Sequence, residues 1–116
     1  MQSLHMKIEN SQGISSRAAA LLVQVASKFK SLILIEKDEK RANAKSIMGL
    51  MSLMVDYGDE VTIITDGEDE KEALEAVLKL IQSDFSEQVA DEITQQETKK
   101  ENNKENNESD DENNNE

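Results

Sequence analysis

Few side chains in this sequence could do chemistry, and two serines stand out among them. Ser15 lies in "GISSRAAALLVQVASKF" and Ser46 lies in "NAKSIMGLMSL". A serine hydroxyl can cap a helix or accept a phosphoryl group. Cysteine is absent, which excludes disulfides and thiolate metal sites. The single histidine, His5, is too little for an ordinary metal site, so we expect no metal and no other cofactor.

The first serine is expected at the start of a helix. Gly13 breaks the chain, and Ser15 or Ser16 is a ready N-cap for a helix over 16–28. Arg17 falls in the first turn, on the solvent-facing stripe of that helix. A cation there opposes the helix dipole by roughly a few tenths of a kcal/mol. An anion close to Arg17 would reverse the sign of that cost.

The second serine precedes a helix, expected over 46–54, that is apolar almost all the way round. A small domain can bury only one face of so short a helix. Three apolar residues are expected to face the sheet: Leu50, Leu53 and Met54. Three others are expected on the outer side, next to the serine: Ile47, Met48 and Met51. The residues alone leave two interpretations open, a capped core helix or a modification site beside a protein-binding surface, for which flexible methionines are suited.

The apolar patterns predict seven elements in the order β-α-β-β-α-β-α. Alternation over 3–9 predicts a half-buried strand with His5 on its polar face. Further strands are expected over three ranges: 31–37, 41–45 and 60–66. A last helix begins at a capping box of Asp69 and Glu72, and four residues at helical spacing form its apolar face: Leu74, Val77, Leu78 and Ile81. This order favours an α+β domain with the helices on one face of a four-stranded antiparallel sheet.

Charge and apolar content divide the chain into two parts. Residues 87–116 hold 11 acidic and 3 basic residues, a net charge of −8, which leaves −4 of the total of −12 for 1–86. No aliphatic or aromatic residue occurs from Thr94 onward, so this stretch cannot bury enough surface to offset the entropy of ordering. We predict one folded domain over 1–88 and a disordered, acidic, Asn- and Glu-rich tail over 89–116. The tail is either purely solvating or a counter-ion for a basic partner.

Several classes of protein fit this composition poorly. No apolar run approaches the roughly 18 residues that span a bilayer, and the N-terminus lacks the pattern of a signal peptide. The acidic charge and the scarcity of aromatic residues argue against direct binding of nucleic acid. We therefore expect a cytoplasmic protein that binds neither membranes nor nucleic acid.

The two serine motifs together resemble those of HPr, the histidine-containing phosphocarrier family of the bacterial sugar phosphotransferase system. "GISSRAAALLVQVASKF" is similar to the active-site loop and first helix of the family, usually G-I-H-A-R-P-A. "NAKSIMGLMSL" is similar to the regulatory-serine segment of HPr from low-GC Gram-positive bacteria, and "GEDEKEAL" fits the start of the last helix. The resemblance covers about 3–85. It implies the HPr-like two-layer open-faced sandwich, with three helices on one face of the sheet.

The resemblance also shows a departure at the residue that matters most for phosphotransfer. Ser15 stands where the family has its phosphorylatable histidine, and Ala18 replaces the usual proline. A serine phosphate ester is far more stable than the phosphoramidate of an imidazole and would not readily pass its phosphoryl group on. The resemblance therefore implies a protein that is neither an enzyme nor a phosphocarrier. Met54 also replaces a frequent glycine of the family.

A histidine position without histidine, together with a retained regulatory serine, is similar to the Crh (catabolite repression HPr) branch of the family. This implies phosphorylation of Ser46 by HPr kinase/phosphorylase and action as corepressor of a LacI-type catabolite control regulator in carbon catabolite repression. We expect Arg17 and Lys45 to lie close enough to Ser46 to reach a phosphate there. The residues expected to bind a partner are Arg17, Lys45, Ile47, Met48 and Met51. A monomer or weak homodimer is expected. The alternatives are a diverged HPr-like module with another partner and a phosphocarrier paralogue. The sequence leaves open whether Ser15 or Ser52 is ever phosphorylated.

Overall fold

Four strands form one antiparallel sheet in the computed structural model, which describes residues 1–95. They are β1 (Gln2–Lys7), β2 (Leu32–Lys37), β3 (Lys40–Asn43) and β4 (Glu60–Asp66). Their order across the sheet is β1-β4-β2-β3, and Ile63 of β4 faces Leu4 on one side and Ile35 on the other. Strands that are neighbours in sequence, β1 and β2, are thus separated in the sheet by the last strand.

Three helices cover one face of this sheet: α1 (Ser16–Ala26), α2 (Ile47–Leu53) and α3 (Glu70–Gln82). α1 packs against both other helices, α2 against β3, and α3 against β1, β2 and β4. The buried core between the two layers includes Ile8, Leu22, Ile33, Ile35, Ile63 and Leu80. The predicted α+β class and the order β-α-β-β-α-β-α are confirmed. No helix in residues 1–95 is both long enough and apolar enough to cross a membrane.

The hairpin between β2 and β3 turns without a glycine. Asp38 and Glu39 both adopt left-handed backbone conformations, with φ of 52° and 69°. Two such residues in a row give the turn whose twist matches that of paired strands. The third strand begins one residue earlier than predicted, at Lys40, and ends at Asn43. The expected polar edge strand is therefore present but displaced.

The predicted capping box at the start of α3 is wrong. Asp69 makes no side-chain hydrogen bond to its own helix. Its carboxylate instead accepts hydrogen bonds from the backbone N–H of Lys30 at 2.9 Å, the backbone N–H of Ser31 at 3.0 Å and the Ser31 hydroxyl. Burial pushes the pKa of Asp69 upward, but these hydrogen bonds together outweigh it and hold the pKa below its usual range. Asp69 thus ties the loop after α1 to the start of α3.

The folded part of the chain extends beyond the predicted boundary at residue 88. Residues 87–95 form a further helix, α4. Phe85 is 2% exposed and Ala90 is fully buried, while Val89 and Ile93 pack partly against the core. The predicted disorder from residue 89 is therefore wrong as far as residue 95, because three apolar side chains fall at helical spacing here. Residues 96–116, the rest of the predicted tail, lie outside the described residues.

Candidate functional site

Ser15 is the N-cap of α1. Its backbone is extended, and its Oγ accepts a hydrogen bond from the backbone N–H of Ala18 at 3.2 Å. The side chain is half-buried at the edge of a small cleft that also involves Gly13, Arg17 and Phe85. Of the two N-caps that the sequence allowed, Ser15 and Ser16, the helix uses Ser15.

The only histidine of the chain lies on the sheet and not beside Ser15. In β1, the His5 ring places Nδ1 at 3.0 Å from Thr62 Oγ1 and Nε2 at 2.8 Å from Glu60 Oε1. The side chain is exposed, as predicted for the polar face of the strand. Both ring nitrogens are occupied by β4, so His5 is not placed to act as a base for the Ser15 hydroxyl.

The loop before α1 is fastened to the chain that follows α2. Gly13 has φ of 59°, and a Cβ there would lie 2.1 Å from the carbonyl oxygen of Val55. The next residue, Ile14, donates its N–H to the same carbonyl oxygen at 3.0 Å. Only glycine fits this close approach. The contact therefore sets the start of α1, where Ser15 lies, against the end of the α2 segment.

Ser46 is the N-cap of α2, as the sequence indicated. Its Oγ accepts a hydrogen bond from the backbone N–H of Gly49 at 3.1 Å, and its carbonyl oxygen accepts one from Leu50 N–H at 3.0 Å. A Cβ at Gly49 would lie 3.2 Å from Ser46 Oγ, so the glycine leaves room for the hydroxyl. The Ser46 side chain is half-buried. Ser52, the second hydroxyl of α2, is exposed and donates to the Gly49 carbonyl at 2.8 Å.

The other end of α2 is held by a lysine that the sequence did not single out. Lys37 Nζ donates to the carbonyl oxygens of Met54 at 2.7 Å and Leu53 at 3.2 Å, and it lies 3.0 Å from Asp59 Oδ2. A cation at the C-terminal end of a helix is favourable because it pairs with carbonyl oxygens that have no partner in the helix. The Asp56 backbone N–H and then Lys37 hold the pKa of Asp59 below its usual range. Both ends of α2 are therefore fixed.

Four apolar side chains of the α2 segment face solvent: Ile47, Met48, Met51 and Met54, which we call the apolar patch. Met48 is 82% exposed and Met54 is 73% exposed. The predicted burial of Leu50 and Leu53 is confirmed, and so is the exposure of Ile47, Met48 and Met51. The predicted burial of Met54 is wrong. The helix ends at Leu53, and Met54 adopts a left-handed conformation with φ of 54°, which turns it out of the buried face.

The two cations expected beside Ser46 are held by other groups. Arg17 Nε lies 3.6 Å from Glu87 Oε2 of α4, and Lys45 Nζ donates to the Phe29 carbonyl oxygen at 2.7 Å. The Lys45 contact binds the end of the α1 segment to the residue before Ser46. The structure thus brings neither Arg17 nor Lys45 into an ion pair with the start of α2. Within residues 1–95, no cluster of three or more His, Cys, Asp or Glu side chains could hold a metal ion.

Residues 2–83 match the family profile described as "PTS HPr component phosphorylation site". The HPr-like protein Crh of Halalkalibacterium halodurans is 48% identical over 84 residues, which are 72% of this chain and the full length of that protein.

Solved structures that resemble this chain come from the same family. A crystal structure of HPr from Thermoanaerobacter tengcongensis is 50% identical with a TM-score of 0.71, covering 73% of this chain and 96% of the other. Crh of Bacillus subtilis, solved as a dimer with a swapped domain, is 49% identical with a TM-score of 0.59 and covers 72% of this chain and 95% of its own.

Proposed function

This chain belongs to the HPr family, and on that premise we propose that it is a regulatory member that acts through phosphorylation of Ser46 and not as a phosphocarrier. The proposal rests above all on one observation. A serine that caps α1 stands at the histidine position, while the regulatory-type serine opens a helix whose outer face is exposed and apolar. The chain is an HPr-like regulatory paralogue in this proposal, and it is not an enzyme.

The environment of Ser15 supports the loss of phosphotransfer. Its hydroxyl oxygen accepts the Ala18 N–H, and the single imidazole of the chain is bound to β4. Without a general base the hydroxyl is a weak nucleophile. A phosphate ester formed there would be a stable product and not a relay intermediate.

The environment of Ser46 supports phosphorylation by HPr kinase/phosphorylase. The side chain is half-buried and accepts the Gly49 N–H, so a kinase can reach it at the cost of one part-buried cap hydrogen bond. A phosphoryl group adds about −1.5 to −2 charges and three acceptor oxygens at this point. The change is too small to rearrange the fold, but it places a dense negative charge at the edge of the apolar patch.

We propose that the phosphorylated protein is a corepressor of a LacI-type catabolite control regulator. The apolar patch supplies the hydrophobic part of that contact through Ile47, Met48 and Met51, with Met54 added by the structure. Each apolar side chain that becomes buried can contribute about 1.5–3 kcal/mol. Arg17 and Lys45 are proposed to contact the phosphate or acidic groups of the partner, after leaving Glu87 and the Phe29 carbonyl oxygen.

The setting of this function is also a proposal. We place the protein in the cytoplasm of a bacterium, as a monomer or weak homodimer. The dimeric structure of Crh from Bacillus subtilis supports the possibility of a homodimer.

The test of the proposed site is phosphorylation by HPr kinase/phosphorylase with ATP, followed by intact-mass measurement and peptide mapping. One added phosphate on Ser46 is expected, and Ser46→Ala should abolish it. Ser52→Ala is the matched control because it removes the other hydroxyl of α2, and it should be modified like the parent. A chain that the kinase leaves unmodified, or modifies elsewhere, would overturn the proposal and favour a diverged binding module.

A further inference from the structure

α4 lies beyond residues 2–83, over which the family profile matches, and it is placed along α1. Glu87 at its start pairs with Arg17 at the start of α1, at 3.6 Å. Four residues later, Asp91 Oδ1 accepts a long hydrogen bond from Gln24 Nε2, at 3.5 Å. The early residues of the two helices meet and the later residues meet, so the helices run side by side in the same direction. α4 therefore lies along the edge of the α1 stripe that carries Arg17 and Gln24, and both side chains stay exposed.

The turn before α4 sets the direction in which that helix runs along α1. Asp84 and Phe85 both have left-handed backbone conformations, with φ of 61° and 55°, and these reverse the chain after α3. Phe85 is buried, and Ser86 caps α4 by accepting the Val89 N–H at 3.2 Å. Asn10 joins the turn to the body, because its Nδ2 donates to Ile81 O at 3.0 Å and to Asp84 Oδ1 at 2.8 Å.

Apart from buried Phe85 and the hydrogen bonds of Asn10, α4 makes few buried contacts with the rest of the domain. Only Ala90 of its described residues is fully buried, and Val89 and Ile93 are half-buried. The Arg17 and Glu87 side chains are 57% and 70% exposed, so their ion pair is of the kind that contributes little. A short helix with few buried contacts can open without unfolding the rest of the domain.

We propose that α4 is an internal competitor for the α1 face: Glu87 occupies Arg17 until an acidic group of a partner displaces it. The charge of Arg17 supports this, since a cation in the first turn of a helix is unfavourable unless an anion lies close to it. Glu87 is that anion as long as no partner is bound. A partner carboxylate or phosphate group would satisfy Arg17 equally and displace Glu87 from it. The apolar patch on α2 stays exposed whether or not Glu87 is paired with Arg17. The proposal rests on the proposed partner role of Arg17.

The first test measures how fast phenylglyoxal modifies each of the two arginines of the full chain. Glu87→Gln should raise the rate at Arg17 about two- to fivefold, the range expected from an exposed ion pair. Glu92→Gln is the matched control, because it makes the same change on an exposed position of α4 and should leave the rate unchanged. Arg41, which is 59% exposed and pairs with Glu36 at 3.5 Å, is the internal reference. Equal rates at Arg17 in both variants would overturn the proposal.

A second variant separates docking of α4 from its charge. Ala90→Asp places a carboxylate in the buried contact of α4 and should release it. Hydrogen exchange should then lose protection in 87–95 but not in α2, and Arg17 should react faster as in Glu87→Gln. Unchanged reactivity of Arg17 after α4 is released would contradict the competition.

The last test uses the regulator and the Ser46-phosphorylated chain. Glu87→Gln should tighten binding about two- to fivefold, and Glu92→Gln should not. If the arginine rates change as expected but the affinity does not, α4 is a cover without a competing role, and the proposal fails. If no version binds the regulator, the proposed function fails, while the arginine rates still decide whether Glu87 screens Arg17.

Discussion

Ser15 and Ser46 make the same hydrogen bond at the starts of two different helices. Ser15 Oγ accepts the N–H of Ala18 at 3.2 Å, and Ser46 Oγ accepts the N–H of Gly49 at 3.1 Å. Capping alone therefore does not distinguish them. Their surroundings do, because Ser46 borders the apolar patch, whereas Ser15 borders a small cleft that includes Asp84 and Phe85 of the turn before α4.

The protein should be inert as a phosphocarrier. Incubation with phosphoenolpyruvate and the general phosphotransferase enzyme should give no acid-labile phosphoprotein. The reason is that Ser15 replaces the histidine of the family, and His5 is not placed to act as its base. Ser15→His should restore phosphorylation only weakly, since Ala18 leaves the loop without the proline of the family and Glu87 occupies Arg17. A labile phosphate on the unmodified sequence would refute this prediction.

Met48→Asp should reduce the affinity of the phosphorylated protein for the regulator at least about tenfold, because the loss of one buried apolar side chain costs about 1.5–3 kcal/mol. Stability should change by less than about 0.5 kcal/mol, since Met48 is 82% exposed. Leu50→Ala, on the buried face of the same helix, is the contrasting variant and should cost about 2–5 kcal/mol of stability. Calorimetric binding and urea unfolding measure the two effects. Unfolding of Met48→Asp would show that the side chain belongs to the core.

Lys37→Met should destabilise the domain by about 1–3 kcal/mol, because the carbonyl oxygens of Leu53 and Met54 lose a charged donor. Hydrogen exchange should speed up first in α2, whose C-terminal end is then unpaired. Lys40→Met, an exposed lysine of the same hairpin, is the control and should stay within about 0.5 kcal/mol of the parent. Equal stability of the two variants would show that Lys37 does not hold the helix end.

Acid should destabilise the fold through carboxylates whose pKa values are lowered by folding. Hydrogen bonds hold the pKa of Asp69 and of Asp59 below the ordinary value of 3.8. Such groups stabilise the folded state above the pKa of the unfolded chain, and this contribution disappears as the pH falls through the folded-state pKa. Asp69→Asn should flatten the loss of stability below about pH 4. Asp38→Asn, which suits the left-handed turn position, should not. Urea unfolding at a series of pH values provides the comparison.

The fold could be predicted from the sequence because its apolar periodicities are local and consistent. Alternation in β1 and helical spacing in α3 match the observed elements, and the regulatory motif placed Ser46 at a helix start. Leu50 and Leu53 were assigned to the buried face for the same reason. The resemblance to HPr then predicted how these elements assemble into one two-layer domain.

What could not be predicted depends on contacts between distant parts of the chain. Asp69 looked like a cap but binds the loop at Lys30 and Ser31, about forty residues away in sequence. Lys37 caps α2 only because β2 brings it there. Met54 is exposed because the helix ends one residue before it. α4 was missed because its few apolar residues lie within a strongly acidic segment, where composition favoured disorder.

The affinity of a LacI-type catabolite control regulator for this protein, with and without phosphate on Ser46, is the most direct measurement of the proposed function. One phosphoserine can form one to three charge-assisted hydrogen bonds, so binding should tighten at least about tenfold on phosphorylation. Ser46→Ala should keep its fold and bind like the unmodified protein, and Ser52→Ala should still gain the full effect. Equal affinities of the phosphorylated and unmodified protein would contradict a corepressor that signals through Ser46.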